Sequence, residues 1–309
     1  MRFSVITVCL NPGGKLKTTL DSVLSQSCGD FEVIVKDGGS SDGAVEEWKR
    51  KDGGSSGGVV DEWKRKDGGS GDGVVEMCLR KDGDGECAAQ LASRRVRVFV
   101  EKDRGIYDAM NQAVAHAAGD FVVFMNCGDV FADAGALERV EEHIREQEKI
   151  GADLNKLVLY GDTVSGQNGV MIASAPKITG FTCYRNIPCH QSCFYARQLC
   201  VEKPYDLQYR IRADYDHFLW CFYRAKAGFV HMDFPVAVYE GGGYSESREN
   251  NKRDLEEHRQ ITEAYMGRGE LLKYRTFMAL TLAPLRRAVA RSGAFSGIYH
   301  LLKEKLYRR

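Results

Sequence analysis

Short runs of β-branched and aromatic residues alternate with stretches of helical spacing, and that alternation restricts the chain to one class of fold. Phe3 to Val8, Phe31 to Val35, Val96 to Val100, Phe121 to Met125 and Leu157 to Tyr160 each read as a buried strand. After a break at Asn11-Pro12-Gly13-Gly14, Leu16, Leu20, Val23 and Leu24 recur at helical intervals. Strand, helix and strand in so few residues make a parallel β-α-β unit. Gly105 opens another helix running to about residue 118, and residues 135–149 read as a charged surface helix. The expectation is an α/β domain with a largely parallel central sheet and helices on both faces. Ligands of such sheets bind beyond the carboxyl ends of the strands.

Charged residues stand at those ends. Asp37 follows Val33-Ile34-Val35, the pair Asp103 and Arg104 follows the third strand, and Asp129 follows Phe121 to Met125 through Asn126-Cys127-Gly128. A carboxylate placed like Asp129 suits a hard cation such as Mg²⁺ or Mn²⁺, and reads equally as a turn or helix-capping aspartate. Asp37 can accept a hydrogen bond from a nucleobase N–H, or simply begin a strand-turn-helix connection. Arg104 can hold diphosphate oxygens or belong to a solvated charge run. His190, after Ile187-Pro188, fits a catalytic or metal-binding role as well as a structural one.

The strangest feature is a repeat. Lys36–Arg50, Lys51–Arg65 and Lys66–Arg80 are consecutive copies of one 15-residue unit, and Lys81-Asp82-Gly83 starts a degraded fourth. Each copy reads as a Lys-Asp-Gly loop and a short helical piece such as Val45 to Trp48. The unit is too short and too polar for a solenoid, so local duplication of a surface loop is the simpler history. Only Asp37 directly follows a strand, and residues 51–90 are expected to form a mobile insert.

Other classes are excluded by what the first turn lacks. Asn11-Pro12-Gly13-Gly14-Lys15 supplies no G-x-G-x-x-G for a dinucleotide, and Leu16 stands where a phosphate loop needs Ser or Thr. A formal net charge of zero gives no field toward nucleic acid. The opening residues do not form a signal peptide, and the ten scattered cysteines read as reduced thiols of a cytoplasmic protein. From Leu271 to Arg309, nine Lys or Arg residues face one acid, Glu304, among interspersed leucines and aromatics. Such a segment suits the surface of an anionic membrane at its inner face, or a helix pair packed on the main domain or on a second subunit of a homodimer.

Taken together, these positions resemble the family 2 glycosyltransferases. Ser4 to Asn11 is similar to the family's first strand and nucleotide-contacting loop, and Val33 to Asp42 to its second strand with an Asp-Gly-x-Ser-x-Asp motif. Glu101 to Asn111 resembles a signature of bacterial members that build surface polysaccharides, and Gly119 to Phe131 the strand with the acidic metal motif. His190-Gln191 and Ala213-Asp214-Tyr215-Asp216 look like later family blocks. The resemblance implies a GT-A fold over residues 1–245, a basic helical extension over 246–309, and an inverting transfer from a nucleoside-diphosphate sugar, commonly a UDP-sugar. The acceptor would be a saccharide or a lipid-linked saccharide. On the nucleotide side it implies Thr7, Asn11, Asp37, Arg104, Asp108, Asn111 and Asn126, with Asp129 on Mg²⁺ or Mn²⁺. Asp214 matches the base that deprotonates the acceptor, with Asp216 as a rival. The chain departs from the family where the acidic motif keeps one carboxylate and where Ala213 replaces a common Glu. The thinned motif leaves open a catalytically inactive nucleotide-sugar binder or scaffold.

Overall fold

The computed structural model describes residues 1–50, 58–60, 64–65, 73–81, 94–241 and 250–280. The strands are β1 (Phe3–Cys9), β2 (Phe31–Asp37), β3 (Gly58–Val60), β4 (Lys64–Arg65), β5 (Gly73–Lys81), β6 (Arg94–Val100), β7 (Phe121–Phe124), β8 (Val130–Phe131), β9 (Leu157–Ser165), β10 (Met171–Ile172), β11 (Cys193–Ala196) and β12 (Gly228–Tyr239). The helices are α1 (Lys15–Leu24), α2 (Ala44–Arg50), α3 (Ile106–His116), α4 (Ala136–Lys149), α5 (Gly180–Arg185), α6 (Arg197–Glu202), α7 (Ala213–Tyr223), α8 (Asn251–Tyr265) and α9 (Arg268–Leu280).

All strands join one sheet, ordered β3-β5-β6-β2-β1-β7-β11-β9-β12-β8, with β4 and β10 paired to β5 and β9. The four central strands, β6-β2-β1-β7, are parallel, as the β-α-β reading requires. Every residue of β1 is buried, which explains why its apolar residues do not simply alternate, with Ser4 and Thr7 as the buried polar exceptions. Each large apolar side chain sealed in such a sheet contributes about 1.5–3 kcal/mol. The step from β1 to β2 runs one way across the sheet and the step from β6 to β7 runs back. Right-handed crossovers therefore put α1 and α3 on opposite faces. Beyond β7, β11 is antiparallel to both its neighbours, β12 runs parallel to β9, and β8 closes the edge antiparallel to β12.

Register brings the chemistry to one edge. Cys9 pairs with Asp37, and Asp37 with Val100, so three parallel strands end side by side. Asp129 lies in the turn between β7 and β8 on the same edge.

The repeat corrects the loop expectation. The first copy forms helix α2, whereas the matching stretches of the next two copies are strands β3, β4 and β5. Strand β5 pairs antiparallel with β6, from Gly73 opposite Val100 to Leu79 opposite Arg94, and covers an edge that would otherwise be open. Ala44-Val45 in the first copy becomes Val59-Val60 and Val74-Val75 in the others, a change toward strand propensity. The remainder of the 51–90 insert lies outside the described residues.

Helices α8 and α9 pack on the sheet domain rather than standing apart from it. Glu257 of α8 is buried and accepts the backbone N–H groups of Arg210, Ile211 and Arg212 at 3.0, 3.0 and 2.9 Å. These residues lead directly into α7. Arg212 also reaches Asp254, and the Tyr215 and His258 rings stack at 5.2 Å. Glu257→Ala would leave three backbone donors without their acceptor, and is expected to cost about 3 kcal/mol of stability. Denaturant unfolding of the variant against wild type measures this; an unchanged midpoint would mean that α8 does not hold the start of α7.

Candidate active site

The turn Asn126-Cys127-Gly128-Asp129 is shaped around close approach. Gly128 has φ +101, and a Cβ there would stand 2.1 Å from Glu240 Oε2. Thr19 of α1 ties the turn down: its Oγ1 accepts the Gly128 N–H and donates to the Asp129 carbonyl, both at 2.9 Å. The Asp129 carboxylate is buried, with Oδ1 accepting the Glu240 N–H at 2.9 Å and Oδ2 accepting Gln191 Nε2 at 2.8 Å. Burial raises its proton affinity, and these two hydrogen bonds only partly offset that. A cation would meet a need here. Lys15 Nζ already stands 2.6 Å from Glu240 Oε2 at the mouth of the turn.

These oxygen donors suit Mg²⁺ or Mn²⁺. Glu240, at the end of β12, brings a second carboxylate beside the motif that the sequence shows with one. No group of three or more His, Cys, Asp or Glu side chains surrounds a single point among the described residues, so a cation would need ligands from its substrate.

A cavity of about 500 Å³ opens over this turn, lined among others by Asn126, Asp129, His190, Gln191, Asp214 and Glu240. His190 occupies a short 3-10 turn just before β11. Its Nδ1 is 3.5 Å from Asp214 Oδ2, and its Nε2 is 2.9 Å from Asn126 Nδ2. Tyr107 of α3 donates to Asp214 Oδ1 at 2.9 Å. Burial opposes the charge on Asp214, but hydrogen bonds from His190, Tyr107 and the Tyr215 backbone outweigh it and hold the carboxyl below the usual range. Asp216 is a correction. It takes Lys203 at 3.0 Å and the Tyr265 hydroxyl at 3.0 Å, and does not line the cavity. Residues two apart on a helix point in different directions, and only Asp214 of this pair reaches the cavity.

A second cavity, of about 740 Å³, meets the first at Ile106, Tyr107 and Arg210 and extends along Val8 to Leu10 and Asp103 to Ala109. Arg104 grips Asp108 with Nε and Nη2, each at 3.1 Å, and both residues line this cavity. Hydrogen bonding from the Arg104 guanidinium holds the Asp108 carboxyl below its ordinary range. Lys36, fully buried, donates to the carbonyls of Glu101 and Asp37 at 2.5 and 3.2 Å and lies 3.5 Å from Asp103. Asp103 is thereby drawn over Gly38, where a Cβ would lie 2.6 Å from its Oδ2.

Three nucleotide-side expectations change in the structure. Thr7 is fully buried in β1 and lines neither cavity; Val8 does, because side chains alternate along a strand. Asn111 uses both ends of its amide on Tyr205, accepting its N–H and donating to its carbonyl at 2.9 Å, and so fixes the 205 segment instead of facing a ligand. Asp37 is buried, accepts the Ser40 N–H at 3.1 Å, and lines neither cavity. It orders a turn that Asn11 shares, since the Asn11 N–H donates to Ser40 Oγ at 2.7 Å and its Oδ1 accepts the Ser41 N–H at 2.8 Å. Tyr107, Gln191, Glu240 and Lys15 are the site residues that sequence reasoning missed. Glu240 had a signal, since it ends β12 at the sheet edge.

Comparison with known proteins agrees with this arrangement. The profile described as glycosyl transferase family 2 matches residues 4–71 and 67–196. A PGL/p-HBAD biosynthesis glycosyltransferase of Mycobacterium bovis is 31% identical over 245 residues, covering 79% of this chain and 78% of the relative. An uncharacterized glycosyltransferase of Mycobacterium tuberculosis is 29% identical over 121 residues, 38% of this chain and 45% of that protein. Among solved structures, residues 1–349 of S. aureus TarS in complex with UDP align with TM-score 0.55 at 17% identity, over 84% of this chain and 64% of that one. A mannosyltransferase of Pyrobaculum calidifontis, in complex with GDP-Man and Mn²⁺, aligns with TM-score 0.51 at 14% identity, over 97% of this chain and 85% of that one. These two show a shared GT-A fold. With the profile spanning well over half of the chain and the mycobacterial relative matched along most of its length, the protein belongs to glycosyl transferase family 2.

Proposed function

We propose that the protein transfers a sugar from a nucleoside-diphosphate sugar, with UDP the first nucleotide to test, to a hydroxyl of a saccharide or lipid-linked saccharide acceptor. The observation that carries the reading is one cavity lined by two kinds of chemistry. Asp129 and Glu240 offer oxygen donors for a cation, and the Asp214–His190 pair offers a proton acceptor. TarS was crystallised with UDP and the Pyrobaculum enzyme with GDP-Man and Mn²⁺, which supports a nucleotide donor of this kind.

The second cavity is assigned to the nucleotide. Arg104 presents a guanidinium to it, Asp37 and Asn11 order the turn at its edge, and Asn126 stands where the donor would pass into the first cavity. Asp129, with Glu240, would hold Mg²⁺ or Mn²⁺, which when bound neutralises charge on the departing diphosphate. Asp214 and His190 line the same cavity as that carboxylate, and in this reading they serve a single displacement with inversion.

Calorimetric titration of UDP tests the donor side. Wild type is expected to bind more tightly with Mn²⁺ than without, and Asp129→Ala to lose that difference, at least tenfold in Kd. Asp37→Ala should weaken binding in both conditions by loosening the Ser40 turn. Silence toward UDP, GDP and CDP alike would contradict the reading.

The acceptor side extends to location. No helix among the described residues is long and apolar enough to cross a membrane. Helix α9 exposes Leu272 and Leu280 beside Lys273, and the sequence continues into the basic stretch. Peripheral contact with an anionic inner-leaflet surface follows as the proposal. In vesicle flotation, full-length protein should rise with anionic vesicles while a chain ending at residue 280 stays in the dense fraction. Equal partitioning of the two would remove the membrane contact.

A further inference from the structure

We infer that His190 is the group that receives the acceptor's proton, with Asp214 as the residue that positions it. This deepens the glycosyltransferase reading and rests on it.

Two partners flank the imidazole. With the Asn126 amide in this orientation its Nδ2 can only donate, so Nε2, 2.9 Å away, accepts with its lone pair. The ring proton then sits on Nδ1, facing Asp214 Oδ2 at 3.5 Å. A neutral imidazole whose Nε2 is held at the cavity wall only by the Asn126 amide, with a carboxylate behind Nδ1, becomes a general base once an acceptor hydroxyl takes that amide's place.

Asp214 is poorly placed to take the proton itself. One oxygen faces His190, and the other accepts the Tyr107 hydroxyl at 2.9 Å. The same interactions favour its ionised form, which makes it a weak base and a good counter-charge.

Asn126 supplies an independent observation. Its Oδ1 is buried and has no hydrogen-bond partner. Turned over about its terminal bond, the amide would offer Oδ1 to a protonated Nε2. Both charge states of the ring therefore have a partner, and the orphaned oxygen gains one when Nε2 carries a proton.

The acceptor hydroxyl replaces the Asn126 amide at Nε2 and gives up its proton there. Its oxygen forms the new bond to the anomeric carbon as the bond from that carbon to the diphosphate oxygen breaks. The electron pair leaves with the diphosphate, and imidazolium and Asp214 carboxylate remain as a charge pair. His190 is thus a catalytic residue and Asp214 a positioning one.

The test compares wild type, His190→Gln, His190→Ala and Asp214→Asn for UDP affinity and for transfer. UDP Kd should stay within threefold in the His190 variants, showing an intact donor site. Transfer should fall about 10²–10⁴-fold in both. Added imidazole should restore part of the rate of His190→Ala and none of that of His190→Gln, a rescue that a merely structural histidine would not give. Asp214→Asn should slow transfer no more than His190→Gln does. Transfer by His190→Gln within tenfold of wild type, with Asp214→Asn inactive, would overturn the inference and give the proton to Asp214. A wild type that binds UDP yet transfers from no donor would overturn the glycosyltransferase reading, and this inference with it.

Discussion

A single desolvated carboxylate, that of Asp129, organises the working edge of this sheet. It is held by Gln191 from the turn before β11 and by the backbone of Glu240 at the end of β12, while Thr19 of α1 clamps the turn that carries it. Three distant parts of the chain thus converge on one group whose charge burial opposes. Two neutral donors leave such a charge under-compensated, and Lys15 at the mouth of the turn is engaged with Glu240 instead. The site is therefore arranged for an incoming positive charge, and a cation carried with a diphosphate supplies one. Gly128 suits this geometry, because its φ of +101 strains any other residue and a Cβ there would push the Glu240 carboxylate aside.

The acceptor wall depends on a different set of constraints. Asp214 opens α7, and the start of α7 is held by Glu257 of α8 through three backbone hydrogen bonds. Asn111 fixes the 205 segment from the other side. The C-terminal helices thus pack into the main domain up to α9, even though their sequence reads as an appendage. The placement of Asp214 depends on packing between α7 and α8.

Much of this was legible in the sequence, and most of the failures share one physical cause. The parallel core was readable because its strands are dense in β-branched and aromatic residues, and the placement of Asp129 at the sheet edge because it follows the apolar run of β7. Asn111 and Asp216 were misread because their real partners, Tyr205, Lys203 and Tyr265, are set by tertiary packing rather than local pattern. Glu240 and Lys15 were missed for the same reason, lying 225 residues apart in the chain yet in contact. The repeats failed differently. One 15-residue unit serves as a helix in its first copy and as strands in the next two, since an open β6 edge and paired valines favour the sheet. Local sequence sets a preference there, and the neighbouring strand decides it.

The central claim is that both walls of one cavity act on the same donor. The most direct measurement is release of nucleoside diphosphate from a panel of UDP- and GDP-sugars, with saccharide acceptors present, by wild type and by Asp129→Asn. The account predicts release from at least one donor that depends on acceptor and on Mg²⁺ or Mn²⁺, and that falls at least a hundredfold in the variant. Equal release by both proteins would contradict it, and would mean that the carboxylate around which the sheet edge is built takes no part in the reaction.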